Sequence, residues 1–152
     1  MGLKGKLIAE VEVRSSGDLF HDLFATKPHD IATISPNHIQ GCAVHEGEFG
    51  KPGSTILWNY TLNGKACVAK EIVEDIDVEK KSISYNVIGG DLREEYKSFH
   101  LHIHVTTEGG DLNLVKWVLD YEKLHEDVPH PTQLLDFVLN VSKNIEEHHL
   151  NS

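Results

Sequence analysis

The middle of the chain alternates apolar and polar residues at a period of two over several long runs. Ile56, Trp58, Tyr60 and Leu62 fall on one side of the first run, and Ile83, Tyr85 and Val87 on one side of the second. Phe99, Leu101, Ile103 and Val105 do the same on a third. Two residues is the side-chain repeat of a strand, so these runs predict a sheet with one apolar and one wet face. Upstream, residues 3–13 alternate more loosely and read as a first strand. Ser15-Ser16-Gly17-Asp18 then offers a helix N-cap, and Leu19, Phe20, Leu23 and Phe24 recur at helical spacing. Thr26-Lys27-Pro28 starts a second short helix with Pro28 in its first turn, and Ser35-Pro36-Asn37 ends it. Six further strands are predicted at residues 38–44, 54–62, 65–76, 82–88, 94–106 and 112–121. Turn chemistry separates them at Asn63-Gly64, at residues 77–81, at Gly89-Gly90-Asp91 and at Gly109-Gly110-Asp111. Connectors this short make neighbouring strands antiparallel.

After Pro129-His130-Pro131 the repeat becomes helical. Leu134, Val138, Val141 and Ile145 share one stripe, while Asp136, Asn140, Lys143 and Glu147 fall away from it. A helix over residues 132–150 is about 28 Å long, and a ten-residue strand is about 33 Å. The helix can therefore lie across the whole sheet. The order strand, two helices, six strands, helix predicts an α+β domain over residues 1–152. Its seven-stranded antiparallel sheet curves around a long C-terminal helix, with two short helices between strands 1 and 2. No repeat or linker interrupts it.

Charge and composition narrow the function. A formal net charge of −10 repels phosphate backbones, and the one adjacent basic pair, Lys80-Lys81, sits in a predicted turn. Nucleic-acid binding is therefore not expected. No apolar run approaches the roughly 18 residues of a membrane helix, so membrane insertion is not expected either. Lys4, Lys6, Glu10 and Glu12 thread the N-terminal segment, unlike a secretory signal, and the expected compartment is the cytoplasm. Met1-Gly2 opens like a myristoylation signal, but Lys6 stands where Ser or Thr belongs. Cys42 and Cys67 are too few for a disulfide framework.

Several local patterns carry possible chemistry. Gly50-Lys51 imitates part of a phosphate loop, but Pro52 follows and a strand rather than a helix comes next, so nucleotide hydrolysis is not expected. His100, His102 and His104 project from one face of one strand, about 6.6 Å apart along it. Two imidazoles and a third ligand can bind zinc, but Leu101 and Ile103 claim the inner face and leave the histidines outside in water. No metal, cofactor or catalytic residue is assigned. Lys70 and Glu71 are adjacent in mid-strand, so one of them is expected to face inward, paired or against a ligand head group.

Further segments carry a resemblance. Gly47-Glu48-Phe49-Gly50-Lys51-Pro52-Gly53-Ser54 lies between two strands, and Gly89-Gly90-Asp91-Leu92 leads into Glu94-Glu95-Tyr96-Lys97-Ser98-Phe99. Trp117 and Asp120-Tyr121-Glu122-Lys123-Leu124 close the sheet, and Asn144-Ile145-Glu146-Glu147-His148-His149-Leu150 closes the chain. Along its whole length the chain resembles the major latex protein branch of the birch-pollen-allergen and plant pathogenesis-related superfamily. The resemblance implies a helix-grip fold and a large internal cavity for hydrophobic small molecules, in a cytosolic plant protein. It implies no particular ligand. A solid core is the alternative that pattern alone favours; the resemblance favours a void of roughly 300–1,000 Å³.

The expected function is storage or carriage of a lipid, sterol-like or aromatic molecule by a monomer, in plant defence or development. The expected ligand-binding residues are Phe20, Phe24, Ile56, Trp58, Tyr60, Val68, Ile83, Tyr85, Phe99, Leu101, Ile103 and Trp117, with Leu134, Val138 and Val141 from the helix. Ala66 is placed on the same inner face. Two rivals stand beside this reading: a cavity-based isomerase or condensing enzyme, and a ligand-dependent module that docks a partner. Enzymes of the wider superfamily use an acid–base set that often includes a lysine on the long helix, but Lys143 lies off the apolar stripe here.

Overall fold

The computed structural model describes residues 3–151, so Met1, Gly2 and Ser152 lie outside the described residues, and the Met1-Gly2 motif with them. Strand β1 (Lys4–Val13) leads into helix α1 (Gly17–Thr26), where the Ser16 side chain accepts a hydrogen bond from the Leu19 N–H as the N-cap. A 3-10 turn at Pro28–Asp30 and the single-turn helix α2 (Ile31–Ile34) follow, so the second helix is shorter than the sequence suggested. Strands β2 (Ile39–Glu46), β3 (Thr55–Leu62), β4 (Lys65–Asp77) and β5 (Ser82–Gly90) come next. A second 3-10 turn, Asp91–Glu94, delays the start of β6 (Tyr96–Gly109) by two residues. Strand β7 (Leu112–Lys123) and helix α3 (Thr132–Leu150) complete the chain.

All seven strands form one antiparallel sheet in the order β1-β7-β6-β5-β4-β3-β2. Register shifts in the β2–β3, β4–β5 and β6–β7 ladders bend it, because an extra residue on one strand kinks and twists the pair. The inner face follows the predicted alternation on β3, β5, β6 and β7. Ile56, Trp58 and Tyr60, Ile83 and Tyr85, Phe99, Leu101 and Ile103, and Val115, Trp117 and Leu119 are all buried. The histidines of β6 take the outer face: His100 and His102 are half-buried, His104 is exposed, and the first two rings stack 6.5 Å apart. Among the described residues no group of three His, Cys, Asp or Glu side chains could hold a metal ion. No described helix is long and apolar enough to cross a membrane.

Strand β4 has the opposite parity to the expected one. Cys67, Ala69, Glu71 and Val73 face inward, while Val68 is 41% exposed and Ala66 is exposed as well. The reason lies outside the strand. Asp91 Oδ1 accepts a hydrogen bond from the Val68 N–H at 2.8 Å, and Gly90, at φ +97°, passes against the Val68 carbonyl. The turn after β5 thus grips the outer edge of β4 and sets which residues turn inward.

Helix α3 rests on the sheet through Leu134, Phe137, Val138, Val141 and Ile145. Its C-terminal half is tied by polar contacts. Trp117 Nε1 donates to Ser142 Oγ at 2.9 Å, and the Ser142 hydroxyl donates onward to the Val138 carbonyl at 2.8 Å. Asn144 Nδ2 donates to Ser35 Oγ at 2.7 Å, which joins α3 to the end of α2. Glu146 accepts from the Arg14 N–H and pairs with Lys143 at 2.6 Å. Burial alone would raise that carboxyl, but these partners outweigh it and hold it below its ordinary value. The N-terminal half has less: Pro131 provides no side-chain cap, and among the described residues its one polar side-chain contact is Gln133 with Asn63.

A Cβ on Gly90 would lie 2.0 Å from the Val68 carbonyl oxygen, whereas a Cβ on Gly53, at φ +89°, meets nothing within 4 Å. Gly53→Ala carries conformational strain of about 1 kcal/mol. Gly90→Ala adds a backbone clash and is expected to cost at least about 3 kcal/mol. Urea unfolding of the two variants measures the difference; equal losses would refute the gripping role of the turn.

Candidate functional site

Between α3 and the sheet an apolar hollow of about 70 Å³ remains. Fourteen residues line it, and nine of them are among the fifteen expected from the sequence: Phe24, Trp58, Tyr60, Tyr85, Leu101, Trp117, Leu134, Val138 and Val141. Five others, Phe20, Ile56, Ile83, Phe99 and Ile103, are buried but sit in solid packing beside it. Phe99 is enclosed by the rings of Tyr96 and Tyr121 at 5.1 and 6.0 Å, and Phe20 lies against Phe24 at 5.3 Å. Ile83 pairs directly with Ile103 across β5 and β6. Val68 points to the other side of the sheet and has no part in the site.

The void is several times smaller than the 300–1,000 Å³ expected of a ligand site. Aromatic volume accounts for the shortfall. Phe137 on α3 approaches Tyr60 to 5.6 Å and His38 to 5.5 Å, and Phe24 on α1 meets Trp117 edge-on at 5.5 Å. Pattern reading passed over Phe137, though it stands three residues after Leu134 and widens the same stripe. It also missed Ile39, Ala69 and Leu92, which line the hollow from β2, β4 and the turn after β5.

Polar groups carried into this interior have partners. Trp117 is seated on Ser142, the Tyr85 hydroxyl donates to the Phe24 carbonyl at 3.4 Å, and Trp58 Nε1 donates to Glu71 Oε1 at 2.9 Å. Beyond the void, the Tyr121 hydroxyl is hydrogen-bonded to His130, and Tyr96 donates to the Pro129 carbonyl at 2.7 Å. Glu71 therefore answers the choice left open between it and Lys70. Its carboxyl is fully buried, and desolvation, opposed by the Trp58 N–H, pushes it up to about 7. Burial also raises the Cys42 thiol and the Tyr60 and Tyr85 hydroxyls. All three stay protonated, so Glu71 is the lining group whose charge changes near neutrality.

This has a thermodynamic consequence. Folding raises the proton affinity of Glu71 from its ordinary 4.5 to about 7, so the folded chain retains a proton the unfolded chain releases. The associated stability is complete below pH 4.5 and disappears as pH rises through 7. At 1.36 kcal/mol per unit the loss is on the order of 3 kcal/mol. Glu71→Gln carries no such charge, so its stability relative to the native chain is expected to increase by that order between pH 4.5 and 8. Urea titrations at the two pH values test this; a constant difference would contradict it.

The profile of the pathogenesis-related protein Bet v 1 family matches residues 2–152. MLP-like protein 31 of Arabidopsis thaliana is 47% identical over 98% of this chain and 88% of its own length. MLP-like protein 28 of the same plant is 50% identical over 96% of the chain, which spans only 44% of that relative. Among solved structures, ginseng major latex-like protein 151 from Panax ginseng superposes with a TM-score of 0.95 at 52% identity, covering 98% of this chain and 99% of that one. Norcoclaurine synthase from Thalictrum flavum, at 19% identity and a TM-score of 0.70, shares the fold alone. The chain belongs to the pathogenesis-related protein Bet v 1 family and has the helix-grip fold of its major latex protein relatives.

Proposed function

We propose that the protein binds and carries a hydrophobic small molecule in the hollow beneath α3, acting as a cytosolic monomer in plant defence or development. The observation that carries this reading is a void retained among fourteen lining residues where a tighter core would be more stable. At about 24 cal/mol per Å³, an empty 70 Å³ costs roughly 1.7 kcal/mol. A fold that keeps such a largely apolar space is suited to an apolar guest.

Ligands larger than a single ring need the space to widen, and the two halves of α3 differ in how they resist that. Ser142, Asn144 and Glu146 tether the C-terminal half, whereas the N-terminal half covers the void with Leu134, Phe137 and Val138. Outward movement of the N-terminal half carries Phe137 off Tyr60 and opens the hollow. The apolar area gained by the guest, at about 25 cal/mol per Å², offsets that displacement and the association cost. Micromolar affinity is the expected scale.

Filling the space tests the reading. Ala69→Leu from the sheet and Val138→Phe from the helix each occupy the hollow, and each is expected to weaken binding of an environment-sensitive apolar fluorophore at least tenfold. Lys51→Ala, in an exposed loop where Lys51 pairs with Glu48, is expected to change it less than twofold. Fluorescence titration, with urea unfolding to confirm folding, decides. Equal affinity in all three variants would overturn the site.

A further inference from the structure

Glu71 stands out in a wall of aromatic and aliphatic groups. Trp58 engages Oε1, and among the described residues no second hydrogen bond reaches the carboxyl. A shift of register between Lys70 and Glu71 places a bulge on the β5 side, with Lys70 opposite Gly89 and Glu71 opposite Val87. The extra residue, Ile88, is taken up by β5, so β4 keeps its alternation: Cys67, Ala69, Glu71 and Val73 face inward, which delivers the Glu71 carboxyl to the hollow and leaves its neighbour Lys70 on the other parity. The titratable groups facing it are Cys42 from β2, Tyr60 from β3 and Tyr85 from β5, each held neutral. Among the described residues, helix α3 and the turn after β5 present only apolar side chains to the hollow, and no lysine, arginine or histidine lines it. An acid with no cationic partner treats the head groups of amphiphiles differently.

We propose that Glu71 sets the specificity of the hollow: the ligand is an apolar molecule with one hydrogen-bond-donating head, hydroxyl or amine, bound to the carboxyl oxygen that Trp58 leaves free. Carboxylate-headed molecules are rejected. The inference rests on the carrier reading and goes beyond it by naming the head-group chemistry. A hydroxyl serves in both protonation states, donating to the carboxylate or accepting from the acid. A protonated amine pairs with the carboxylate in a medium where Coulomb attraction is poorly screened. A carboxylate guest meets like charge there and binds only while Glu71 keeps its proton.

The test uses three heads on each of two bodies: benzyl alcohol, benzylamine and benzoate, and decanol, decylamine and decanoate. Binding to the native chain and to Glu71→Gln is followed by amide chemical shifts at pH 6 and pH 8. In the native chain carboxylate affinity is expected to fall about tenfold across this interval as Glu71 ionises, amine affinity to rise, and alcohol affinity to stay constant. In Glu71→Gln these dependences are expected to vanish and the carboxylates to bind as well as the alcohols. Equal binding of the three heads at pH 8, or discrimination that survives the substitution, would overturn the inference and leave the carrier reading standing. Binding by none of the six compounds would overturn the carrier reading and this inference with it. If Glu71→Gln does not fold, the pH dependence in the native chain decides alone.

Discussion

One geometric mismatch governs this molecule: a single helix must cover the apolar face of a seven-stranded sheet. Seven strands spaced about 4.8 Å apart span roughly 29 Å, whereas a helix with its side chains is about 10–12 Å wide. A flat sheet would leave most of its inner face in water. The sheet bends at its register shifts instead, and α1 packs against β5 and β6 while α2 packs against β2. What curvature cannot close, large side chains fill. Phe24, Trp58, Tyr60, Tyr85, Trp117 and Phe137 all reach into the space between helix and sheet, and the hollow is what they leave.

Large aromatic side chains bring polar atoms with them, so the interior needs its own hydrogen-bond plan. Leaving a buried donor unpaired costs about 1–3 kcal/mol. The two indoles meet this need differently. Trp117 spends its N–H on Ser142, a contact between sheet and helix that fixes where α3 sits. Trp58 spends its N–H on Glu71, a contact within the sheet that leaves the helix free and leaves a carboxyl at the wall. One indole thus anchors the cover, and the other furnishes the room.

Much of this was legible in the sequence because strong alternation leaves little choice. On β5 and β6 large apolar residues occupy one parity and mostly polar residues the other, so the inner face could be read directly; on β3 and β7 the aromatic residues Trp58, Tyr60 and Trp117 mark it, although Leu57, Leu114 and Val118 stand on the opposite parity. Strand β4 offered no such contrast. Ala66 and Val68 on one parity compete with Cys67, Ala69 and Val73 on the other, and a one-residue slip exchanges the faces. The deciding contacts come from Gly90 and Asp91, more than twenty residues away, and local pattern does not contain them. The size of the hollow was hidden for a related reason. Alternation states which residues face inward but not how far each ring reaches, and Phe137, adjacent to the chosen Val138, takes up space assigned to a ligand.

The nature of the one acid bears on the choice between carriage and catalysis. Proton transfer on a bound molecule generally uses a donor and an acceptor placed around the reacting atoms, with proton affinities that allow both roles near neutrality. Glu71 has a suitable affinity. Its titratable neighbours are a thiol and two phenols that burial moves further from neutrality, and among the described residues no histidine or lysine lines the hollow beside it. On α3, Lys143 is turned away from the hollow and occupied by Glu146 and the Glu12 carbonyl. A single proton carrier among unreactive neighbours can recognise a head group, and its charge can adjust how tightly that head is held. The distant likeness to norcoclaurine synthase extends to the frame alone.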